Sequence, residues 1–177
     1  RVPDIAPLLK DQDPGVRRWA VDVLALLDAR DQLDSVRSLL TDPDDRTRAS
    51  TVTAVSRLGG ATDLIEPLLR DRSPQVRMAA AECLPIAKIV ALAKDPSSTV
   101  RLKFVDLAAA AKSAEVAEHV CALVADPEVA HAALAAVVLL GWKGDVAPIV
   151  ALLKSHDDVL GPRALVALLN SGLPEAA

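Results

Sequence analysis

The feature that most constrains the fold is an aspartate followed six residues later by an arginine, which recurs along the first hundred residues. The four copies read DQDPGVR at 11–17, DPDDRTR at 42–48, DRSPQVR at 71–77 and DPSSTVR at 95–101. Their arginines lie 31, 29 and 24 residues apart. A period in this range is typical of solenoids built from repeated supersecondary units.

The residues around each motif predict two helices per repeat. An apolar pair or its remnant precedes each aspartate, and an Ala/Leu-rich run with i, i+3, i+4, i+7 spacing follows each arginine. We expect helix A at 3–10, 32–41, 62–70, 88–94, 114–125 and 145–154. We expect helix B at 14–27, 45–58, 74–86, 98–111, 128–140 and 159–170.

The turns between the two helices carry start signals for helix B. In DPG at 13–15, SPQ at 73–75 and DPE at 126–128, a capping residue precedes a proline that suits the first helical position. Two weaker repeats follow: Ala130 takes the place of the arginine in the fifth, and Ser155 and Gly161 replace the pair in the sixth.

The resulting architecture is one solenoid domain of six helix pairs over residues 1–177. The predicted repeats cover 1–29, 30–60, 61–87, 88–112, 113–143 and 144–177. No run alternates convincingly with a period of two, so we expect no strands. The predicted fold class is therefore all-α, a right-handed α-α superhelix in which each helix pair buries its apolar stripe against its neighbours.

The fourth repeat is irregular. The stretch LPIAKIVALAKD leaves about seven residues fewer before the fourth aspartate than the corresponding stretch of the second repeat. Either the fourth helix A is truncated, or a loop after Ala87 is missing from the sequence. We favour the missing loop, because Pro85 weakens the end of its helix and a direct join to Lys88 leaves no turn.

The aspartate and arginine of each motif point to a structural purpose. Asp11 lies near the end of helix A and Arg17 in the first turn of helix B, where the helix dipoles disfavour their charges. Pairing the two, within a repeat or between neighbours, would offset this mismatch through charge-assisted hydrogen bonds. Catalysis is a poor explanation for four equivalent pairs, because an active site needs one convergent set of groups.

At these residues the chain resembles the HEAT-repeat family, in particular its short bacterial form related to bilin-lyase-type repeats. The likeness rests on LLKDQDPGVRRWAVDVLALL and LLRDRSPQVRMAAAECL, and it weakens in the last two repeats. It implies a hydrogen-bonded ladder between repeats and a concave face lined by the B helices. The ladder residues would be Asp11, Arg17, Asp42, Arg48, Asp71, Arg77, Asp95 and Arg101.

Composition excludes several classes of protein. Apolar residues make up 51% of the chain, which disfavours disorder, and the net charge of −4 comes without basic clusters that would bind nucleic acid or a membrane. No apolar run approaches the roughly 20 residues that span a bilayer. No secretory signal is evident, and a chain that starts at Arg1 rather than Met is expected to be trimmed or partial.

The sequence contains no pattern typical of a catalytic, metal or cofactor site. Cys83 and Cys121 lie in apolar runs, as reduced buried cysteines of a cytoplasmic protein do. His119, His131 and His156 are isolated, without a second metal ligand at a suitable spacing. We therefore expect no catalytic residues, no metal and no cofactor.

A partner surface is the remaining functional feature. The residues directly after each arginine, or their equivalents, are Arg18, Ala49, Met78, Leu102 and His131, and one turn later come Asp22, Thr53, Glu82, Asp106 and Ala135. Candidate partner-binding residues are Arg18, Trp19, Met78, Leu102, His131 and Trp142. The alternative is that these side chains only pack between adjacent B helices.

Three functions compete. The leading hypothesis is a non-catalytic scaffold or adaptor that binds a protein on its concave face. The second is a subunit of a bilin-lyase-like enzyme, for which aromatic residues at 2% are few. The third is a HEAT-like nucleic-acid binder, which needs a basic groove, and the acidic second row disfavours it.

Overall fold

The computed structural model describes residues 2–154 and 161–170, and these residues form helices with no strand among them. The predicted all-α fold class is thereby confirmed. The predictions for Ser155, for His156, for the start of the last helix B at 159–160 and for the end of the sixth repeat lie outside the described residues.

Eleven α-helices are defined over this part of the chain. They are α1 (Val2–Ile5), α2 (Pro14–Leu26), α3 (Leu33–Arg37), α4 (Asp45–Arg57), α5 (Thr62–Ile65), α6 (Pro74–Glu82), α7 (Ser98–Ala111), α8 (Ala117–Ala122), α9 (Ala130–Leu140), α10 (Ala147–Lys154) and α11 (Gly161–Asn170). The B helices of the six predicted repeats correspond to α2, α4, α6, α7, α9 and α11.

The first compact unit, Arg1–Pro85, holds three B helices, of which α2 packs against α4 and α4 against α6. Their buried side chains recur at helical spacing, with Val21 and Leu24 on α2 matched by Val52 and Val55 on α4. Small residues fill the contact between neighbours: Ala20, Thr47, Thr51 and Ala80 are almost completely buried. Small side chains allow the helix axes to approach closely.

The first three A helices cover close to the predicted ranges, but part of each is the tighter 3-10 helix. Each of the first three contains a short α-helix, α1, α3 or α5, and ends as a 3-10 helix, Ala6–Lys10, Ser38–Thr41 or Glu66–Arg70. The cause is the bond that closes the last turn, in which the motif aspartate donates its N–H to the carbonyl three residues earlier, as in Asp42 to Leu39 at 3.1 Å. Pro7 and Pro67 have no N–H for an α-helical bond.

The second unit, Ile86–Ala177, contains α7 to α11. α7 packs against α9 and α9 against α11. Phe104, the one phenylalanine of the chain, is completely buried on α7, and Leu134 and Ile149 are buried on α9 and α10. The fourth helix A consists of two short 3-10 helices, Ile86–Lys88 and Val90–Lys94. The missing loop after Ala87 stays a prediction.

Glycines end two of the B helices. Gly59 has a φ of +89° after α4, and Gly141 has a φ of +60° at the end of α9. This left-handed conformation is strained for other residues and closes helix C-termini. Next to Gly59, Gly60 donates its N–H to the Val55 carbonyl at 2.8 Å, and a β-carbon at Gly60 would overlap Val55.

One predicted start signal is wrong. α9 begins at Ala130, and its N-cap is Val129, whose side chain cannot accept a hydrogen bond. Asp126 therefore does not cap this helix as Asp13 caps α2. Its carboxylate instead bonds the Glu128 N–H at 3.0 Å within the turn.

We predict that Phe104→Ala lowers the free energy of unfolding by about 3–5 kcal/mol, because it leaves a cavity in a closely packed interior. Leu102→Ala on the same helix is the matched control, since Leu102 is 39% exposed, and it should cost less than about 1 kcal/mol. Urea denaturation followed by circular dichroism measures both. Equal losses for the two variants would contradict the burial described here.

Candidate functional site

The motif arginine joins three groups in the first unit. Arg17 donates Nε and Nη2 to the two carboxylate oxygens of Asp42 in the next repeat, at 2.7 and 2.8 Å. Its Nη1 donates to the carbonyls of Asp11 and Gln12 at 2.8 and 3.1 Å. One guanidinium thus caps the end of its own helix A and holds the following repeat by a bidentate ion pair.

The second repeat has the same arrangement. Arg48 donates to both carboxylate oxygens of Asp71 at 2.8 and 2.9 Å, and to the Asp42 carbonyl at 2.8 Å. Arg48 is buried, as is Asp42. In the third repeat Arg77 donates Nη1 to the Asp71 carbonyl at 2.8 Å. The arginine therefore turns back toward helix A, which places its charge at a helix C-terminus where it is favourable.

In the second unit, Arg101 donates to Asp126 at 2.6 Å, to Glu128 at 2.9 Å and to the Asp95 carbonyl at 2.9 Å. Sequence reasoning missed Asp126 as a partner and assigned it to capping. The signal in the sequence was the position of Asp126 three residues after Leu123. Its N–H donates to the Leu123 carbonyl, as the N–H of each other motif aspartate donates to the carbonyl three residues earlier. Counting six residues from Asp126 gives Ala132, rather than Ala130, at the arginine position.

These contacts keep the aspartates ionised. Burial alone would raise the pKa of Asp42, but the hydrogen bonds from Arg17 and from the Asp44 N–H outweigh it and leave that pKa below its ordinary value. Burial also raises the pKa of Asp71, but the hydrogen bonds from Arg48 and the Ser73 N–H outweigh it, so that pKa too is lowered. The Arg101 hydrogen bond lowers the pKa of Asp126.

The candidate partner residues of the first unit differ in accessibility. Trp19 on α2 is 50% exposed, whereas Arg18 on α2 and Met78 on α6 are half-buried. We call the exposed side of the B helices the B face. In this unit the residues one turn after Arg18, Ala49 and Met78 are exposed and polar: Asp22, Thr53 and Glu82.

The candidate partner residues of the second unit also differ in accessibility. Leu102 and His131 are exposed on α7 and α9. Trp142 is engaged in its own loop, because its Nε1 donates to the Asp145 carbonyl at 3.2 Å and a β-carbon at Gly144 would overlap its ring. We therefore leave Trp142 out of the partner surface.

An apolar groove of about 520 Å³ lies between α9 and α11 on the B face of the second unit. Its lining includes Leu134, Val138, Leu139, Pro162, Arg163 and Val166. Leu139 is 69% exposed and Val166 50% exposed. The sequence signal for this groove was the apolar run of the fifth repeat, which sequence reasoning used only to trace that repeat.

Of the lining residues that the structure describes, Arg163 is the one with a charged side chain, and its Nη1 lies 2.5 Å from His131 Nδ1. A guanidinium only donates, so the imidazole Nδ1 is the acceptor in this contact. The contact brings the sequence-predicted His131 to the edge of the groove.

The cysteines and histidines of the described residues do not form a reactive centre. Burial raises the pKa values of the Cys83 and Cys121 thiols, which disfavours the nucleophilic thiolate. Within 2–154 and 161–170, no three His, Cys, Asp or Glu side chains converge as metal ligands. No helix in the same ranges is long and apolar enough to cross a membrane.

Comparison with known proteins identifies the repeat. Residues 2–85 match the family profile described as HEAT repeats. Over this range the chain is similar to a run of HEAT repeats. This range contains the ion pairs of Arg17 with Asp42 and of Arg48 with Asp71, which we call rungs. No protein of curated function matches the sequence.

Solved structures share the fold of the whole chain. An engineered protein is 18% identical with a TM-score of 0.57, over 98% of this chain and 99% of its own. A designed armadillo repeat protein is 18% identical with a TM-score of 0.54, over 97% of this chain and 100% of its own. At this identity the likeness concerns the fold alone, and it supports an α-solenoid architecture.

We predict that Arg48→Ala lowers the free energy of unfolding by about 2–4 kcal/mol, because it leaves the Asp71 carboxylate without its ion pair. The matched control is Arg37→Ala, whose pair with Asp34 is exposed on both sides and should contribute less than about 1 kcal/mol. Urea denaturation of both variants tests this. A loss for Arg48→Ala no larger than for the control would contradict a structural role for the rungs.

We also predict that the free energy of unfolding falls on acidification below about pH 5. The aspartates have a pKa near 3.9 in the unfolded chain and a lower pKa in the folded chain, so the unfolded chain binds more protons. The lowered pKa values of Asp42, Asp71 and Asp126 set this sign. The stabilisation from these aspartates is present at neutral pH and is lost as the pH falls through their pKa values in the folded chain. The urea midpoint, measured between pH 7 and pH 3, should fall less steeply with pH for Asp42→Asn than for Asp34→Asn. Equal dependence on pH in the two variants would refute the lowered pKa of Asp42.

Proposed function

We propose that this chain is a non-catalytic scaffold that binds a protein partner on the B face. The observation that carries the proposal is the apolar groove between α9 and α11, where Leu139 and Val166 are exposed to water. Exposed apolar patches bordered by polar residues are typical of protein interaction sites. HEAT and armadillo repeats commonly serve as such scaffolds, which supports the same conclusion.

The polar chemistry of the described residues supports binding rather than catalysis. The arginines and aspartates that could polarise a substrate bond each other and the backbone in the rungs. The two thiols have raised pKa values and are unsuited as nucleophiles at neutral pH. Both cysteines are free, as expected in a reducing compartment, and we propose a cytoplasmic location.

A nucleic-acid partner is disfavoured by charge. Phosphate backbones are bound by clustered Lys and Arg side chains. The exposed B face of the first unit has Asp22 and Glu82, and the second unit adds Asp106. A protein partner is compatible with this charge.

We predict that Leu139→Asp abolishes capture of the native partner from lysate, because it places a charge in the groove that the partner must cover. Ala151→Asp is the matched control, since Ala151 is exposed on α10, an A helix of the same unit. Circular dichroism verifies that both variants fold. Equal capture of all partners by the wild type and Leu139→Asp would refute a binding site on this part of the B face.

A further inference from the structure

We propose that the groove between α9 and α11 binds an amphipathic helix of the partner, with its apolar side chains on the groove floor and a carboxylate against Arg163. The inference rests on the proposed function and specifies the chemistry of the partner. It follows from the form of the groove, its openness to water and its charge.

The floor of the groove has helical periodicity on both sides. Leu134 and Val138 are four residues apart on α9, and Pro162 and Val166 are four residues apart on α11. Rows of side chains at this spacing form the ridges between which a third helix packs. Leu139, 69% exposed, lies beside them and is covered when a helix is bound.

The opening of the groove distinguishes a helix from an acyl chain. Its apolar residues Leu139 and Val166 are half or more exposed, so the groove does not enclose a ligand. An acyl chain bound there would leave one side of its apolar surface in water. An amphipathic helix has a polar side that faces water while its apolar side covers the groove.

Charge determines which helix fits. Among the described lining residues Arg163 is the one charged residue and none is acidic, and His131 accepts one of the five N–H groups of the guanidinium. A carboxylate on the incoming helix can pair with the donors that face away from His131. A basic residue at the same position would be repelled by the positive charge of Arg163.

The same surface in the first unit does not offer this combination. The large apolar residues exposed on its B helices, Trp19 and Leu26, both lie on α2, and each of the three successive B helices has an exposed polar residue, Asp22, Thr53 or Glu82. The polar side chains Asp22, Thr53 and Glu82 disfavour contact with the apolar side of a bound helix. The groove of the second unit is therefore the place for the partner helix.

The test uses a blocked, fluorescent peptide of about 15 residues, which forms roughly four helical turns, with leucines on one face and a glutamate at one end of that face. A second peptide has lysine in place of the glutamate, and a third has the same composition with the leucines spread around the helix. Fluorescence anisotropy with the full chain measures binding.

We expect saturable binding of the glutamate peptide, weakened at least about tenfold by Leu139→Asp and about tenfold by Arg163→Glu. Arg163→Glu should bind the lysine peptide better than the glutamate peptide. Leu26→Asp on α2 is the matched control, because Leu26 is 68% exposed, and it should leave binding unchanged. Circular dichroism establishes that each variant is folded.

The inference is overturned if the glutamate peptide does not bind, if the scrambled peptide binds equally well, or if Leu139→Asp leaves binding unchanged. Saturable binding of decanoate that displaces the peptide would show an acyl site instead. If capture of the native partner requires Leu139 but no helical peptide binds, the proposed function stands and this inference falls. If neither depends on Leu139, both fall.

Discussion

The structure of each unit depends on one arginine side chain that satisfies three groups at once. The guanidinium of Arg17 bonds the last carbonyls of its own helix A and both oxygens of the aspartate in the next repeat. A lysine could not make this contact, because its ammonium has no planar fork of donors. The same side chain therefore closes one helix pair and fixes the register of the next.

The rung also explains why the motif spacing is constant. The aspartate ends helix A by a tight backbone bond and accepts the N–H two residues ahead, as Asp42 does from Asp44 at 2.9 Å. Six residues later the arginine lies in the first turn of helix B and reaches back across the turn. A longer or shorter turn would separate the guanidinium from the carbonyls that it caps.

Pairing the charges inside the repeats leaves the B face to determine binding. In the first unit the large exposed apolar residues of the B helices, Trp19 and Leu26, lie on α2 alone, whereas in the second unit two neighbouring helices, α9 and α11, both expose leucine or valine to water. The difference arises where the motif decays, because the fifth repeat has Ala132 where its predecessors have an arginine. Loss of the motif and gain of an apolar groove thus occur in the same part of the chain.

Much of this architecture could be predicted from the sequence, because the repeat depends on local spacing. The interval from Asp to Arg predicted the helix pairs, and Pro14 and Ser98 begin their helices as expected. The 3-10 ends of the A helices depend on a backbone bond that periodicity does not reveal. The role of Asp126 and the groove near Arg163 depend on contacts between repeats, which a weakened motif no longer marks.

The most direct test of the rung is a double-mutant cycle on Arg17 and Asp42, with Arg17→Ala, Asp42→Ala and the double variant unfolded in urea at neutral pH. If this pair joins successive repeats, the coupling energy should be about 1.5–3 kcal/mol, as for charge-assisted bidentate bonds. A coupling energy near zero would contradict the account, because the two side chains would then stabilise the chain independently of each other.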